Sequence, residues 1–214
     1  MTNLTKLIQV DLSYNQFSSR IGEFQSCNSL PVLILRKNRL SGSIPKSISN
    51  LLNLKKLDIS SNNLSGIVEF DKATKLKELW LLDLAYNSLL LKIKSELNNT
   101  FPALSNLDLA SCSITEFPNF LISSKKLEWL DLSNNRIYNN ILKWMFEIGE
   151  NLSCLNPSRN FLSSIERHPW TNLWYLNLVP IYYKESFPFH NLQWKSYISQ
   201  KIISLAISDL WFVT

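Results

Sequence analysis

Apolar residues recur along this chain in one order, L-x-x-L-x-L-x-x-N-x-L, and the order returns seven times. The first copy runs Leu7, Val10, Leu12, Asn15, Phe17, and the second Leu30, Leu33, Leu35, Asn38, Leu40. The third runs Leu54, Leu57, Ile59, Asn62, Leu64, and the fourth Leu79, Leu82, Leu84, Asn87, Leu89. The fifth runs Leu104, Leu107, Leu109, Cys112, Ile114, the sixth Leu127, Leu130, Leu132, Asn135, Ile137, and the seventh Leu152, Leu155, Pro157, Asn160, Leu162. An eighth opens at Leu173, Leu176 and Leu178. From Asn15 to Asn160 the Asn or Cys positions advance by 23, 24, 25, 25, 23 and 25 residues. Spacings of this size belong to solenoids in which each repeat is one supersecondary unit.

Each position has a physical task. The alternating L-x-L is a short strand with one buried face. One such strand cannot bury that face alone, so successive copies must stack into a continuous core. The expected fold is an α/β-type leucine-rich-repeat solenoid, a horseshoe with a parallel β-sheet on the concave face and few or short helices on the convex side. The Asn at the ninth position stands where the chain leaves the strand and turns inward. Its amide both donates and accepts, so it can satisfy backbone groups the sheet no longer pairs. The row Asn15, Asn38, Asn62, Asn87, Cys112, Asn135, Asn160 is therefore expected to form a structural ladder, with Cys112 as a buried, weakly donating substitute.

The second half of the repeat narrows the class. Repeat two continues Leu40-Ser41-Gly42-Ser43-Ile44-Pro45, and repeat three Leu64-Ser65-Gly66. This resembles the plant-specific repeat with its L-S-G-x-I-P segment. Repeat five reads Ala110-Ser111-Cys112-Ser113-Ile114-Thr115-Glu116-Phe117-Pro118, and repeat six Leu130-Asp131-Leu132-Ser133-Asn134-Asn135. This pair resembles the ectodomains of plant leucine-rich-repeat receptor-like proteins of the disease-resistance type, and the likeness covers about residues 1–178. The resemblance implies an extracellular solenoid, a plasma-membrane location for the full-length parent, a protein or peptide ligand in signalling or defence, and a kinase co-receptor engaged through that parent. The chain departs from the family plan: it shows no signal peptide, no cysteine-paired cap and no membrane helix. It reads as an ectodomain fragment of a longer receptor. The alternatives are a secreted enzyme-inhibitor-type leucine-rich-repeat protein and a nonfunctional gene fragment. Residues 1–178 are expected to form the array, seven repeats and a partial eighth, and 179–214 a non-repeat tail, aberrant or disordered, with a C-terminal cap as the other reading.

On the strands, the x positions face away from the core. The column between the two strand leucines reads Asp11, Ile34, Asp58, Asp83, Asp108, Asp131, Asn156, Asn177, acidic in a chain of net charge +5. It belongs to the L-D-L-S pattern of the repeat, and a structural or solubility role is expected for it. Aromatic residues and Arg carry binding energy at interfaces more often than other types. The expected ligand contacts are Tyr14, Lys56, Trp80, Tyr86, Trp129, Arg159 and Trp174.

Composition then excludes rather than adds. Four glycines provide no phosphate loop, and the Lys and Arg residues are scattered, with no basic stripe for nucleic acid. Cys27, Cys112 and Cys154 make no CxxC pair, so no metal and no cofactor is expected. Only His168 and His190 are present, and no G-x-S-x-G, H-E-x-x-H or kinase signature occurs, so catalysis is not expected. Four sequons, at Asn3, Asn63, Asn98 and Asn151, are compatible with an extracellular glycoprotein.

Overall fold

The structure, a computed structural model, describes residues 7–24, 30–70, 75–92, 101–139, 148, 151–162 and 172–179. The sequons at Asn3 and Asn98, Cys27, both histidines and the segment 180–214 lie outside them.

Eight parallel strands form one sheet in strict chain order: Gln9–Asp11, Val32–Ile34, Lys56–Asp58, Leu81–Asp83, Asn106–Asp108, Trp129–Asp131, Cys154–Asn156 and Tyr175–Leu176. The register never slips. Val10, Leu33, Leu57, Leu82, Leu107, Leu130, Leu155 and Leu176 pair in one file across the sheet. A one-residue slip would turn each leucine outward, so burial of this file fixes the register. All of the file but the half-buried Leu176 is buried, and with Leu35, Ile59, Leu84, Leu109 and Leu132 it makes the core continuous from turn to turn.

Among the described residues helix is scarce. Two short 3-10 segments, Lys46–Asn50 and Asn119–Ser123, stand at equivalent places in repeats two and five. Each follows a proline in extended conformation, Pro45 and Pro118. Proline suits that place because it has no N–H to leave unpaired and fixes φ at the entry to the turn.

Two features lie beyond the repeat consensus. A second set of parallel strands follows the asparagines: Ser41–Gly42, Asn63–Glu69 and Ser88–Lys92 form one sheet, and Tyr138–Asn139 with Phe161–Leu162 another. Gly42 and Gly66, the glycines of the L-S-G segments, hold φ of 78° and 92° there. A side chain would be strained in that region. Between the two sets, repeat five carries no such strand. Its Ser113, directly after Cys112, takes φ of 54° and turns the chain off the strand path. The other feature is a cluster of phenylalanines spanning three repeats. Phe70 stacks on Phe120 at 4.8 Å, and Phe101 lies 5.2 Å from Phe120 and 6.1 Å from Phe70.

Candidate ligand-binding face

The turn that ends each strand of the large sheet sets which side chains face outward. The residue just before each ladder position has positive φ: Tyr14, Lys37, Ser61, Tyr86, Ser111, Asn134 and Arg159 all lie between 53° and 57°. None is glycine, and each such residue costs about 1–2 kcal/mol. The compensation is visible. Every one donates its N–H to a carbonyl of the next repeat: Tyr14 to Arg36, Lys37 to Ser60, Ser61 to Ala85, Tyr86 to Ala110, Ser111 to Ser133, Asn134 to Ser158 and Arg159 to Val179, at 2.7–3.0 Å. The left-handed step thus carries the hydrogen-bond ladder past the strand, sends the following Asn inward and leaves its own side chain outside.

Inside the turn each asparagine from Asn38 on links its own repeat to the one before. The Asn62 amide donates to Leu35 O of the repeat before at 3.0 Å and to Ile59 O and Ser60 O of its own, while its Oδ1 accepts from Leu40 N at 3.0 Å. Asn38, Asn87, Asn135 and Asn160 repeat this scheme. Asn15 is exposed and, among the described residues, donates within its own turn, to Leu12 O and Ser13 O. Cys112 places Sγ 3.4 Å from Leu84 O and 3.6 Å from Ala110 O, and lacks the amide oxygen that the asparagines offer the repeat before.

The acidic column is engaged in the same turn. Oδ1 of Asp11, Asp58, Asp83, Asp108 and Asp131 accepts the backbone N–H two residues on, from Ser13, Ser60, Ala85, Ala110 and Ser133, at 2.8–3.2 Å. Asn156 and Asn177 do the same for Ser158 and Val179. An uncharged amide therefore serves the turn as a carboxylate does. The carboxylates have an electrostatic consequence. Four of them, Asp58 to Asp131, stand in register on adjacent strands, about 4.8 Å apart by the strand spacing. Burial, and then the neighbouring Asp58, pushes Asp83 up to about 6. Burial, and then Asp83, pushes Asp108 up to about 7. At the near end, Arg36 Nε lies 3.8 Å from the largely buried Asp58.

The expected contact residues are spread along this face and do not converge on one pocket. Tyr14, Tyr86 and Arg159 occupy the left-handed column and are exposed. Arg36 and Lys37 lie over the Tyr14 ring at 5.1 and 4.8 Å. Trp80 and Trp174 precede their strands, and Trp129 opens one; all three are exposed. Lys56 is half-buried in its strand. The structure adds a residue the sequence reading passed over: Tyr175, whose ring plane lies within 5° of that of Trp129 at 6.5 Å.

Cys112 and Cys154 are free and fully buried, and burial pushes both thiols up to about 12. Since the thiolate is the reactive form, neither should be alkylated by iodoacetamide at about pH 8 until the chain unfolds. Peptide mapping after labelling tests this; modification of either in the native chain would contradict the packing around it. Among the described residues, no group of three or more His, Cys, Asp or Glu could hold a metal ion, and no helix is long and apolar enough to cross a membrane.

Residues 29–51, 53–71 and 126–148 match the Leucine Rich Repeat family model. Receptor like protein 28 of Arabidopsis thaliana is 36% identical over 141 residues, which is 64% of this chain and 18% of that protein. Among solved structures, the plant peptide hormone receptor RGFR1 in complex with RGF2 superposes with a TM-score of 0.68 at 29% identity, covering 74% of this chain and 25% of that one. The Arabidopsis receptor kinase HAESA, in complex with the peptide hormone IDA and the co-receptor SERK1, superposes with a TM-score of 0.69 at 27% identity, covering 81% and 34%. Stacked parallel strands, the inward asparagines and these matches define a leucine-rich-repeat protein. Within that class the chain is similar to the plant receptor-like proteins, at 32% identity over 85% of its length to Receptor-like protein 54 of Arabidopsis thaliana. It spans about a fifth of the length of the curated relatives it matches, 18% of one and 23% of another.

Proposed function

We propose that the concave sheet is the ligand-binding face of a cell-surface receptor-like protein, taking a protein or peptide signal in defence or development, with catalysis no part of its role. One observation carries this reading: large aromatic side chains stand exposed on a scaffold whose strands and turns are hydrogen-bonded from repeat to repeat. Tyr14, Trp80, Tyr86, Trp129 and Trp174 are each between 39% and 61% exposed. Rigid aromatics on a rigid sheet supply contact area with little side-chain freedom to lose. The hormone complexes of RGFR1 and HAESA support a peptide as the ligand class, and the HAESA complex supports a co-receptor acting beside the full-length parent. The parent's place is the extracellular side of the plasma membrane. Asn63 and Asn151, both exposed, are the described sequons open to a glycan there.

The reading is tested by selecting binders from a library of random linear peptides against the whole chain, then scanning the face. Single alanine substitutions at Tyr14, Trp80, Tyr86, Trp129, Arg159 and Trp174 are expected to weaken the selected peptides, at one or more positions by about tenfold or more. Tyr138→Ala, on the second set of strands, should leave affinity unchanged. Peptides indifferent to every concave substitution would sink the assignment.

A further inference from the structure

We infer that the far end of the concave face is an anchor for a cationic side chain, a guanidinium or ammonium, presented by the ligand. This rests on the reading of that face as the binding surface and assigns its chemistry.

The site follows from the register of three strands. Trp129, Cys154 and Tyr175 are cross-strand neighbours in one row. Their outer members sit two strands apart, about 9.6 Å at the backbone. Their ring centroids are only 6.5 Å apart with parallel planes. The two rings therefore lean toward each other across the middle strand. They can do so because the middle residue is Cys154, the smallest side chain in a row that elsewhere holds Gln9, Val32, Lys56, Leu81 and Asn106. The pair roofs the thiol, which is wholly buried, yet 39% of Trp129 and 36% of Tyr175 stay open to solvent. Trp174 borders the pair, its ring 6.2 Å from that of Tyr175 at 60°. The result is a fixed π surface three rings wide.

The charged groups in register beside it are carboxylates. The next row along the same strands is Asp131, Asn156 and Asn177. Asp131 accepts Ser133 N through Oδ1 and the Asn156 amide through Oδ2 at 2.7 Å. Both bonds hold the carboxylate in place without neutralising it. Asp108 adjoins it in register on the neighbouring strand. Burial is the first cause of the raised affinity of Asp108 for a proton, and Asp83 and then Asp131 add to it, so like charge does accumulate along the row. Arg159 is the nearby cation, held outside in the turn column. Aromatic faces attract a cation by their quadrupole, the more so when it is partly desolvated. A carboxylate row at the edge of those faces selects the same ligand charge. An anionic ligand group would meet repulsion here.

The test uses the selected random peptides and four variants of the whole chain. The binders should be enriched in Arg or Lys relative to the input library. Replacing that residue by Gln in a selected peptide should cost about tenfold in affinity or more, and the loss should disappear in Tyr175→Leu and Trp129→Leu, which keep an apolar roof over Cys154. Tyr175→Phe should retain the affinity, because the ring rather than the hydroxyl is the contact. Asp131→Asn should weaken Arg-bearing peptides and spare their Gln versions. Protection of Cys154 from iodoacetamide in each variant confirms that the roof has not collapsed. Enrichment of acidic or purely apolar peptides would overturn the inference. So would binders that depend on Trp80 or Tyr86 but ignore Tyr175 and Trp129, while leaving the binding face itself intact. Failure to select any concave-face peptide would remove both.

Discussion

Asn135→Ala should destabilise the chain by about 4 kcal/mol, the largest loss of any position in the asparagine row, whereas Asn15→Ala should cost less than about 1 kcal/mol. Asn135 is almost completely buried. Its Oδ1 takes two backbone donors, Cys112 N and Ile114 N, each at 3.0 Å, and its amide serves Leu109 O, Leu132 O and Ser133 O at 2.9–3.1 Å. The double acceptance arises from the fifth repeat. There Ser111 and Ser113 are both left-handed, and the N–H groups that follow them, of Cys112 and Ile114, both turn toward the sixth repeat. Cys112 cannot reciprocate as an asparagine would, so Asn135 supplies the buried side-chain bonds to that turn, beside the backbone bonds of Ser111 N to Ser133 O and Arg136 N to Ile114 O and the exposed one from Asn134 to Ser111 Oγ. Alanine would leave two donors without a partner where water has little access, and each buried orphan costs about 1–3 kcal/mol. Asn15 has no equivalent burden, since it is exposed and bonds within its own turn. Denaturant unfolding of the two variants beside the parent chain decides the matter. Equal losses would show that the row acts by local turn propensity and not by linking repeats.

Much of this was legible in the sequence. The leucine period predicts both the stacking and the inward face, because a two-residue alternation interrupted every 23 to 25 residues has no other way to bury its leucines. The ninth-position asparagine was readable for the same reason: an amide is the one neutral side chain that donates twice and accepts at once. Cys112 fits there because burial suits a thiol. The second set of strands was not legible. Ser41–Gly42 and Phe161–Leu162 are two residues long, below any period, and they form only because the main sheet has already aligned the repeats. The Phe70, Phe101 and Phe120 cluster was hidden likewise, since these residues lie at different offsets in their repeats and meet only after stacking. The contact face was half legible. Outward columns can be counted, and Trp129 and Trp174 stand out in them, but the partnership of Trp129 with Tyr175 depends on the small Cys154 between them. A sequence column shows which residues are outside; it does not show which of them lean together.

Mild acid should stabilise this chain, and Asp108→Asn should reproduce the effect at neutral pH. Asp83 and Asp108 bind their protons more tightly in the folded chain than the ordinary value of 3.8, at about 6 and about 7. For a carboxyl raised on folding, the stabilising contribution is complete below the unfolded value and is lost as pH rises through the folded one. The window therefore runs from about pH 4 to about pH 7, with the folded state weakest at its upper end. A rise of about three units corresponds to on the order of 4 kcal/mol, and neighbouring carboxyls that relax together reduce it to roughly 3. The groups facing Asp108 are Asp83 and Asp131 on the adjoining strands and Asp58 one strand further, with Arg36 reaching Asp83 and Arg159 reaching Tyr86. Burial is the largest cause of the rise, and among the charges the like ones outweigh the cations. Asparagine at position 108 would keep the bond from Ala110 N, as Asn156 and Asn177 already do in their own turns. Asp108→Asn is thus expected to raise Tm by roughly 6–12 °C near pH 7.5 and to bring no gain near pH 4, where the parent carboxyl is already neutral. An equal gain at both pH values would locate the effect in packing instead of charge. The same logic reaches the ligand. A cation seated against Asp131 and Asp108 would replace the proton that Asp108 otherwise holds, so association with an Arg-bearing peptide should release protons and weaken below about pH 6. Asp108→Asn should lose that pH dependence while keeping the aromatic contacts on Trp129 and Tyr175.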